Sequence, residues 1–494
     1  MTENASSTKD HHMLAGITVA SAFLASMIML LGYWKIQQDD SYIFYSYANN
    51  ILNGNGYVFN HGERINATTS PLYTILLFLI AWISQFIPVI TLPLIGHLIG
   101  AVSLFITALL LLKIFKTEQF TLFPFVVPLV FLSSPLIANA VGMETALTMM
   151  LAMSCLYFWW KNRRLAASLA CSLAILTRPD IALFAGILPI YDFIRYHRLP
   201  SPLMILLFLF PILCWLVFSY QYFGELLPTT LSAKLGQTES GRWGTGLIFL
   251  KGLFSAQTWH AKLVMYAAFS LIFSGIGTMI MKFRQWKIFQ HPVLQVILLW
   301  NVSYLIAYGL ILNPPGYQWY YTPLSIGMAI LACLPIEALY RILANNRRFA
   351  DYAVFFVVSA LAISLVLPVT MLSGDISKKF ETYKLAAEWL NANTEEGTSV
   401  GANEIGILRY FYAKGPVIDA LGLVTPGVAE HVKNRDYSWY IHYYKPDYLL
   451  FDTPHRPIFE SMVEAKWFNQ DYHLRTTITT PRKSVAIYQR QNES

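Results

Sequence analysis

Two adjacent carboxylates, Asp39 and Asp40, open the first polar stretch of the chain, directly after an apolar run. Like charges side by side push at least one pKa up unless a cation or hydrogen bonds compensate, and a membrane face adds a desolvation cost. Such a pair suits a metal ion, a substrate hydroxyl or a general base; the alternative reading is an interfacial anchor or helix cap. A third acid, Glu144, follows Gly142-Met143 just before another apolar run. It is either a second acid of the same site or a cap, since a carboxylate is stabilised at a helix N-terminus. Arg178-Pro179-Asp180 interrupts a long apolar stretch. An arginine at that depth is costly, so it must pair with Asp180 or bind something anionic. Lys234 follows a turn at Pro228 and is either a second anion ligand or a snorkelling lysine.

Aromatic residues collect around these charges. Asn313-Pro314-Pro315-Gly316-Tyr317-Gln318-Trp319-Tyr320-Tyr321 suits the stacking of sugar rings, and an interfacial aromatic belt explains it as simply. Tyr42, Tyr45, Ala48 and Leu52 fall at helical spacing, which predicts an amphipathic helix lying on the membrane. Asn53-Gly54-Asn55-Gly56 is turn-rich, and Gly62-Glu63-Arg64 and Thr68-Thr69-Ser70-Pro71 follow. This is a structured loop rather than a linker. Arg64 and His260 are exposed candidates with no assigned role, and Asn66 opens a glycosylation sequon.

The elements that must position these residues follow from composition. Of 494 residues, 55% are hydrophobic and only 13% charged, and the mean hydropathy is +0.47. A soluble chain carries about a quarter charged residues, so a soluble enzyme, a disordered chain and a coiled coil are excluded. The net charge of +7 points to basic cytoplasmic loops, not to nucleic acid. Cys155, Cys171, Cys214 and Cys333 all lie in apolar segments, so neither a disulfide framework nor a zinc site is expected. Apolar segments fall at 13–34, 71–87, 92–112, 121–140, 145–160, 165–177, 181–194, 202–222, 262–281, 293–312, 321–340 and 352–372. The first is long enough to span, with no cleavage site after it, and reads as a retained helix.

Basic clusters at Lys113/Lys116, Lys161/Arg163/Arg164, Arg195/Arg198, Lys282/Arg284/Lys287 and Arg341/Arg347/Arg348 should all be cytoplasmic. They can be so only if one early segment does not cross. The 71–87 segment, bounded by Pro71 and Pro88, is read as that one; the alternative is that 121–140 stays out. The expected architecture is therefore an α-helical polytopic membrane domain, 1–373, with about eleven transmembrane helices. Its N-terminus is inside, and the carboxylates, Arg178, Lys234 and the aromatic loop are outside. Residues 374–494 form a small extracytoplasmic domain. A helix from Ser377 to Leu390, strand-like runs at 399–401, 417–419 and 448–451, and a helix from Glu404 to Tyr412 make it α/β.

The segment DDSYIFYSYANNILNGNGYVFNHGERINATTSPLY resembles the first extracytoplasmic loop of GT-C glycosyltransferases that use polyprenyl-phosphate sugars, above all the AftB-type terminal arabinofuranosyltransferases. Asp39-Asp40-Ser41-Tyr42-Ile43, Gly54-Asn55-Gly56, Asn60-His61-Gly62-Glu63-Arg64 and Thr69-Ser70-Pro71-Leu72 carry the likeness. It continues in Gly142-Met143-Glu144-Thr145, Arg178-Pro179-Asp180 and Gly224-Glu225-Leu226-Leu227-Pro228 up to Lys234. The C-terminal region is shorter than in that family, and there the likeness is poor.

The resemblance implies a catalytic aspartate at the start of the loop, which maps to Asp39 with Asp40 as near-equal alternative. An alcohol needs a positioned base to become a nucleophile; in a retaining reaction the carboxylate would instead face an oxocarbenium ion. It further implies Glu144 as second acid; by their own chemistry Arg178 and Lys234 are the candidates for the donor phosphate, and Tyr42, Arg64, Trp319 and Tyr320 for lining the acceptor or sugar. No cofactor is fixed by the sequence; a divalent cation, magnesium or manganese, is a candidate. The expected activity is transfer of a sugar, arabinofuranose first, from a polyprenyl phosphate to a periplasmic glycan or protein acceptor at a bacterial inner membrane. Mannose or aminoarabinose as the sugar, or a lipid or glycan transporter without catalysis, are the alternatives.

Overall fold

The computed structural model describes residues 2–244, 246–253, 259–282, 287–343, 359 and 377–491. Five helices among them are long and apolar enough to cross a membrane: His12–Leu31, Leu92–Phe115, Pro202–Phe223, Pro292–Leu312 and Gln318–Ile342. Shorter apolar helices run over Pro71–Ser84, Phe123–Leu132, Thr145–Trp160 and Arg164–Ile175. The expected segment 352–372 lies outside the described residues. Proline near the first turn starts several of these helices, at Pro71, Pro93, Pro124, Pro202 and Pro292, where its missing N–H costs nothing. Pro71–Ser84 has 14 residues; at about 1.5 Å per residue it is shorter than a hydrocarbon core of about 30 Å. Phe123–Leu132 is shorter still. Its start is held by Glu337, whose carboxylate accepts from the amides of Thr121, Leu122 and Phe123 at 2.9–3.0 Å. Pro202–Phe223 keeps only one residue, Ser219, buried, so its apolar flanks turn outward.

The helix Asp39–Leu52 does not lie on a membrane surface as its spacing suggested. Tyr42, Tyr45, Tyr47 and Ala48 are at most 1% exposed. One side packs on Pro71–Ser84 and Leu92–Phe115 and another on the helix Gly406–Phe411 of the C-terminal region. Aromatic side chains all round explain the difference: such a helix gains most by being covered on every side.

The C-terminal region forms one five-stranded sheet: β1 Val400–Ala402, β2 Val417–Asp419, β3 Tyr448–Thr453, β4 Tyr472–Thr479 and β5 Ser484–Arg490. Their order is β2-β1-β3-β5-β4. The first three strands are parallel, with the helix Gly406–Phe411 in the β1–β2 crossover, and β5 joins antiparallel to β3 and β4. The helix Lys378–Asn393 packs on β4 and β5. Ala402, Leu450, Val485 and Ile487 share one core with Tyr42, Tyr45 and Tyr73. The sheet and the first loop are therefore a single hydrophobic unit, and burial of apolar area is the term that seats one on the other.

Candidate functional site

The first helical residue after the N-terminal apolar helix is Asp39, and its carboxylate is fully engaged. Oδ2 accepts from the Gly406 amide at 3.0 Å and Oδ1 from the Ile407 amide at 2.9 Å. Asp39 is thus the anionic cap of a helix from the far end of the chain, a favourable place for negative charge. Gly406 permits the approach, because a Cβ there would run into the Asp39 carbonyl oxygen. Burial, with Glu404 beside it, pushes the Asp39 carboxyl up to about 7, against the Ile407 amide and Lys379, which favour the charge.

Glu404 was not visible as a site residue in the sequence. Its carboxylate takes Lys379 Nζ at 2.6 Å and Arg456 Nη2 at 2.9 Å. Arg456 Nε reaches Asp452 at 2.5 Å, which also takes Lys483 Nζ at 2.8 Å. Burial opposes the charge on Glu404, but Lys379 and then Arg456 outweigh it and hold its carboxyl below the usual range. Lys379 comes from a helix, Asp452 from a strand and Glu404, Arg456 and Lys483 from loops, so no local motif could have announced them.

Asp40 differs from its neighbour. A step of one helical residue turns its side chain by about 100°, away from the amides that hold Asp39. Half-buried, it accepts no hydrogen bond from any described residue. Burial raises its pKa, while Lys234 and Lys379 pull it down and Glu404 pushes it up. Lys234 sits on the helix Thr229–Ser240, which is tied to the C-terminal domain by Thr229 Oγ1 donating to the Leu423 carbonyl at 2.7 Å. Its ammonium lies over the Tyr317 ring, 4.1 Å from the centroid, and forms no ion pair among the described residues. Tyr317 is itself fixed by Trp243 Nε1 at 3.1 Å and by donation to Gln237 at 3.2 Å.

Arg178 is pinned from three directions. Nε and Nη2 form a fork on Asp180 at 3.1 and 2.7 Å, and Nη1 reaches Glu144 at 3.2 Å. Asp180 also accepts from Tyr304 and Tyr308 at 3.1 and 3.2 Å. The Arg178–Asp180 pair read from the sequence forms, and Glu144 joins it. Glu144 does not cap the helix Thr145–Trp160 through its side chain. Its Oε2 is buried without a partner, and burial raises its pKa although Arg178 works against this. Thr148 Oγ1 bonds Thr177 Oγ1 at 2.9 Å and Ser70 Oγ bonds the Thr177 carbonyl at 2.5 Å, so the Glu144 and Arg178 segments are clamped to the end of the first loop.

The aromatic candidates separate. Tyr320 stands 5.7 Å from the Arg178 guanidinium, and its carbonyl accepts from Tyr304 at 2.9 Å. Trp319 stacks on Tyr317 at 4.8 Å, nearly parallel. Both border the charged cluster. Tyr42 does not: it is 1% exposed, donates to Gln37 at 2.6 Å and meets Tyr45 and Tyr410 edge-on. Arg64 is exposed and lies over Tyr222 at 4.7 Å, with no contact to the acids. The side chain of His260 lies outside the described residues. Asn66, the sequon residue, is 1% exposed and donates to Ser219. Among the described residues no three His, Cys, Asp or Glu side chains gather as a metal would need. Each Asp39 oxygen already takes one backbone amide, so Asp40 is the more open carboxylate of the pair.

The fold recurs in known proteins. The chain is similar to solved structures of ArnT from Cupriavidus metallidurans, one of them bound to undecaprenyl phosphate, at 11% identity. The TM-scores are 0.59 and 0.60, with at least 97% of each chain covered. An oligosaccharyltransferase from Archaeoglobus fulgidus matches over 92% of this chain and 70% of its own, at 11% identity and a TM-score of 0.56. The chain has the GT-C fold. It is a multi-pass membrane protein, and the likeness read from its first loop is met in sequence as well. The chain is 26% identical over 302 residues to a terminal beta-(1->2)-arabinofuranosyltransferase of Mycobacterium tuberculosis, 55% of this chain. It spans less than half of that relative, 46% of its length. Residues 375–490 match a family model described as a domain of unknown function (DUF8728). That domain is the one whose amides hold Asp39.

Proposed function

We propose that this GT-C chain is a membrane glycosyltransferase that moves a sugar from a polyprenyl phosphate to a glycan or protein acceptor outside the cytoplasm. One observation carries the reading: of two adjacent aspartates, one is held by two backbone amides and the other is left without a hydrogen bond to a described residue in the field of an unpaired lysine. Asp40 is accordingly the general base. It takes the proton of an acceptor hydroxyl as that oxygen attacks the anomeric carbon, and the bond from that carbon to the donor phosphate oxygen breaks. In a retaining course the same carboxylate faces the anomeric carbon instead.

Lys234 is the first ligand of the departing phosphate, because it has no competing carboxylate within ion-pair distance. A fixed cation stabilises the developing charge more in the transition state than in the ground state. Arg178 already serves Asp180 and Glu144, which supports a positioning role behind Lys234 and Tyr320. Trp319, stacked on Tyr317 by one face, offers its other face to a sugar.

Arabinofuranose is the first donor to test, from the likeness to the mycobacterial enzyme. The purified protein is incubated with polyprenyl-phosphoryl arabinofuranose, mannose and aminoarabinose, and free polyprenyl phosphate is measured. Release from the arabinofuranosyl donor, lost in Asp40→Asn, supports the reading. Release from another sugar alone changes the donor, and no release from any, with acceptor extracts present, overturns it.

A further inference from the structure

A second site lies farther along the helix Asp39–Leu52. Ser46, Asn49, Asn50 and Asn53 recur at helical spacing and so share one face. With Asn55, His61, Arg409 and Tyr410 they line a half-open cleft of about 250 Å³. Asn49 is ten residues past Asp39, about 15 Å along the helix. The cleft is therefore separate from the Asp40–Lys234 cluster and one or two sugar rings removed from it.

Its polar groups are built but not satisfied. Arg409 is 7% exposed. Nε donates to the Phe59 carbonyl at 3.0 Å and Nη1 to the Tyr412 carbonyl at 2.7 Å. A guanidinium has five N–H donors, so three are left over. No carboxylate forms an ion pair with it among the described residues. Glu63, which acts on it through its charge, is exposed and bonded to Asn60. The Ser46 hydroxyl is buried and has no partner. The side chains of Asn49 and Asn53 and the Tyr410 hydroxyl make no hydrogen bond to a described residue. A buried guanidinium without a counter-ion is expensive unless an anion completes it. Amides that can both donate and accept suit sugar hydroxyls, and a half-buried tyrosine ring offers a stacking face.

We propose that this cleft binds an acidic saccharide unit, with its carboxylate or phosphate on Arg409 and Ser46 and its hydroxyls on Asn49 and Asn53. That the unit belongs to the acceptor rests on the glycosyltransferase reading; the binding itself does not. The position holds a charged sugar at a fixed remove from Asp40, so it selects acceptors by a residue that does not react.

The test uses full-length protein in detergent. Binding of glucuronic acid, glucose 6-phosphate and glucose is measured by saturation-transfer NMR and calorimetry. At least one acid should bind, about tenfold or more tighter than glucose, as loss of a charge-assisted bond implies. Whichever acid binds tells a carboxylate from a phosphate ligand. Asn53→Asp, at an exposed position, adds a negative charge to the cleft and should abolish acid binding; Asn49→Ala should weaken it. Arg409→Lys keeps the charge without the fork and should also weaken it. Equal binding of glucose and the acids, no binding of either acid, or unchanged binding in Asn53→Asp overturns the proposal. Donor turnover is followed in the same preparation. Acid binding without turnover removes the transferase reading and leaves the cleft; turnover without acid binding does the reverse.

Discussion

Asp39 and Gly406 stand 367 positions apart in the chain, yet the carboxylate of the first accepts the amide of the second at 3.0 Å. The absent side chain of Gly406 is what lets the Asp39 backbone come so near. The pair makes Asp39 part of a domain junction, while Asp40, one residue on, remains available for chemistry.

The two aspartates should therefore fail in different ways. Asp40→Asn is expected to lower sugar transfer by about 10²–10⁴-fold with little change in melting temperature. Asp39→Asn puts an amide N–H against a backbone N–H and should cost about 1–3 kcal/mol of stability. Thermal unfolding and turnover measured on both proteins separate the roles. Equal melting temperatures in the two variants, with transfer lost only in Asp39→Asn, would reverse the assignment.

Gly406→Ala should unseat the junction. The added methyl meets backbone rather than a flexible side chain, and overpacking of that kind costs about 1–3 kcal/mol. Faster proteolysis between the membrane part and the sheet, with an intact sheet released, is the readout. A wild-type cleavage pattern and melting temperature would show that the backbone yields at no cost.

The junction should also sense pH. The folded-state pKa of Asp39 is raised to about 7 from 3.8. Between those values the folded chain keeps a proton that the unfolded chain has released. Its contribution to stability is therefore fully present below pH 3.8 and is lost as pH rises through about 7. The melting temperature of the wild type should fall over that range more than that of Asp39→Asn, and parallel curves would count against a shifted Asp39. Turnover should move the other way. Burial raises the Asp40 pKa, so a base at that position gives an acidic limb above the ordinary carboxylate range, absent from the residual rate of Asp40→Asn.

The two cations should separate as well. Lys234→Ala is expected to reduce kcat by about 10²-fold with a small effect on folding, because it removes charge from the leaving group. Arg178→Ala strands two carboxylates that are nearly inaccessible, and breaking such a pair costs about 3–5 kcal/mol. Arg178→Gln combined with Glu144→Gln should recover part of that stability. A fully stable Arg178→Ala protein with impaired kcat would return Arg178 to the phosphate.

Much of this was legible where the signal is local. The apolar runs marked the helices, and the Arg178–Asp180 turn pair follows from two residues of spacing around a proline. The strands at Val400–Ala402, Val417–Asp419 and Tyr448–Thr453 lie where short β-rich runs stood. The hairpin of β4 and β5 was missed, because β4 is an edge strand with mixed polar residues and little buried surface. The helix Asp39–Leu52 was read as amphipathic on a membrane, since nothing nearby reveals the helix Gly406–Phe411 that covers its other side. The same gap hid Glu404, Lys379 and Arg456, which meet only through the fold. It also hid which aspartate is free, because the partners of Asp39 are backbone amides, and no residue type encodes those.

The Asp39 contact also sets an order of events during biosynthesis. Residue 39 leaves the ribosome long before residues 406 and 407, so the first loop reaches its destination with that carboxylate uncapped and its tyrosines bare. The loop takes its final form only when the last quarter of the chain has been made and folded against it. A nascent or prematurely terminated polypeptide thus has its first loop in hand but no means to hold it in place.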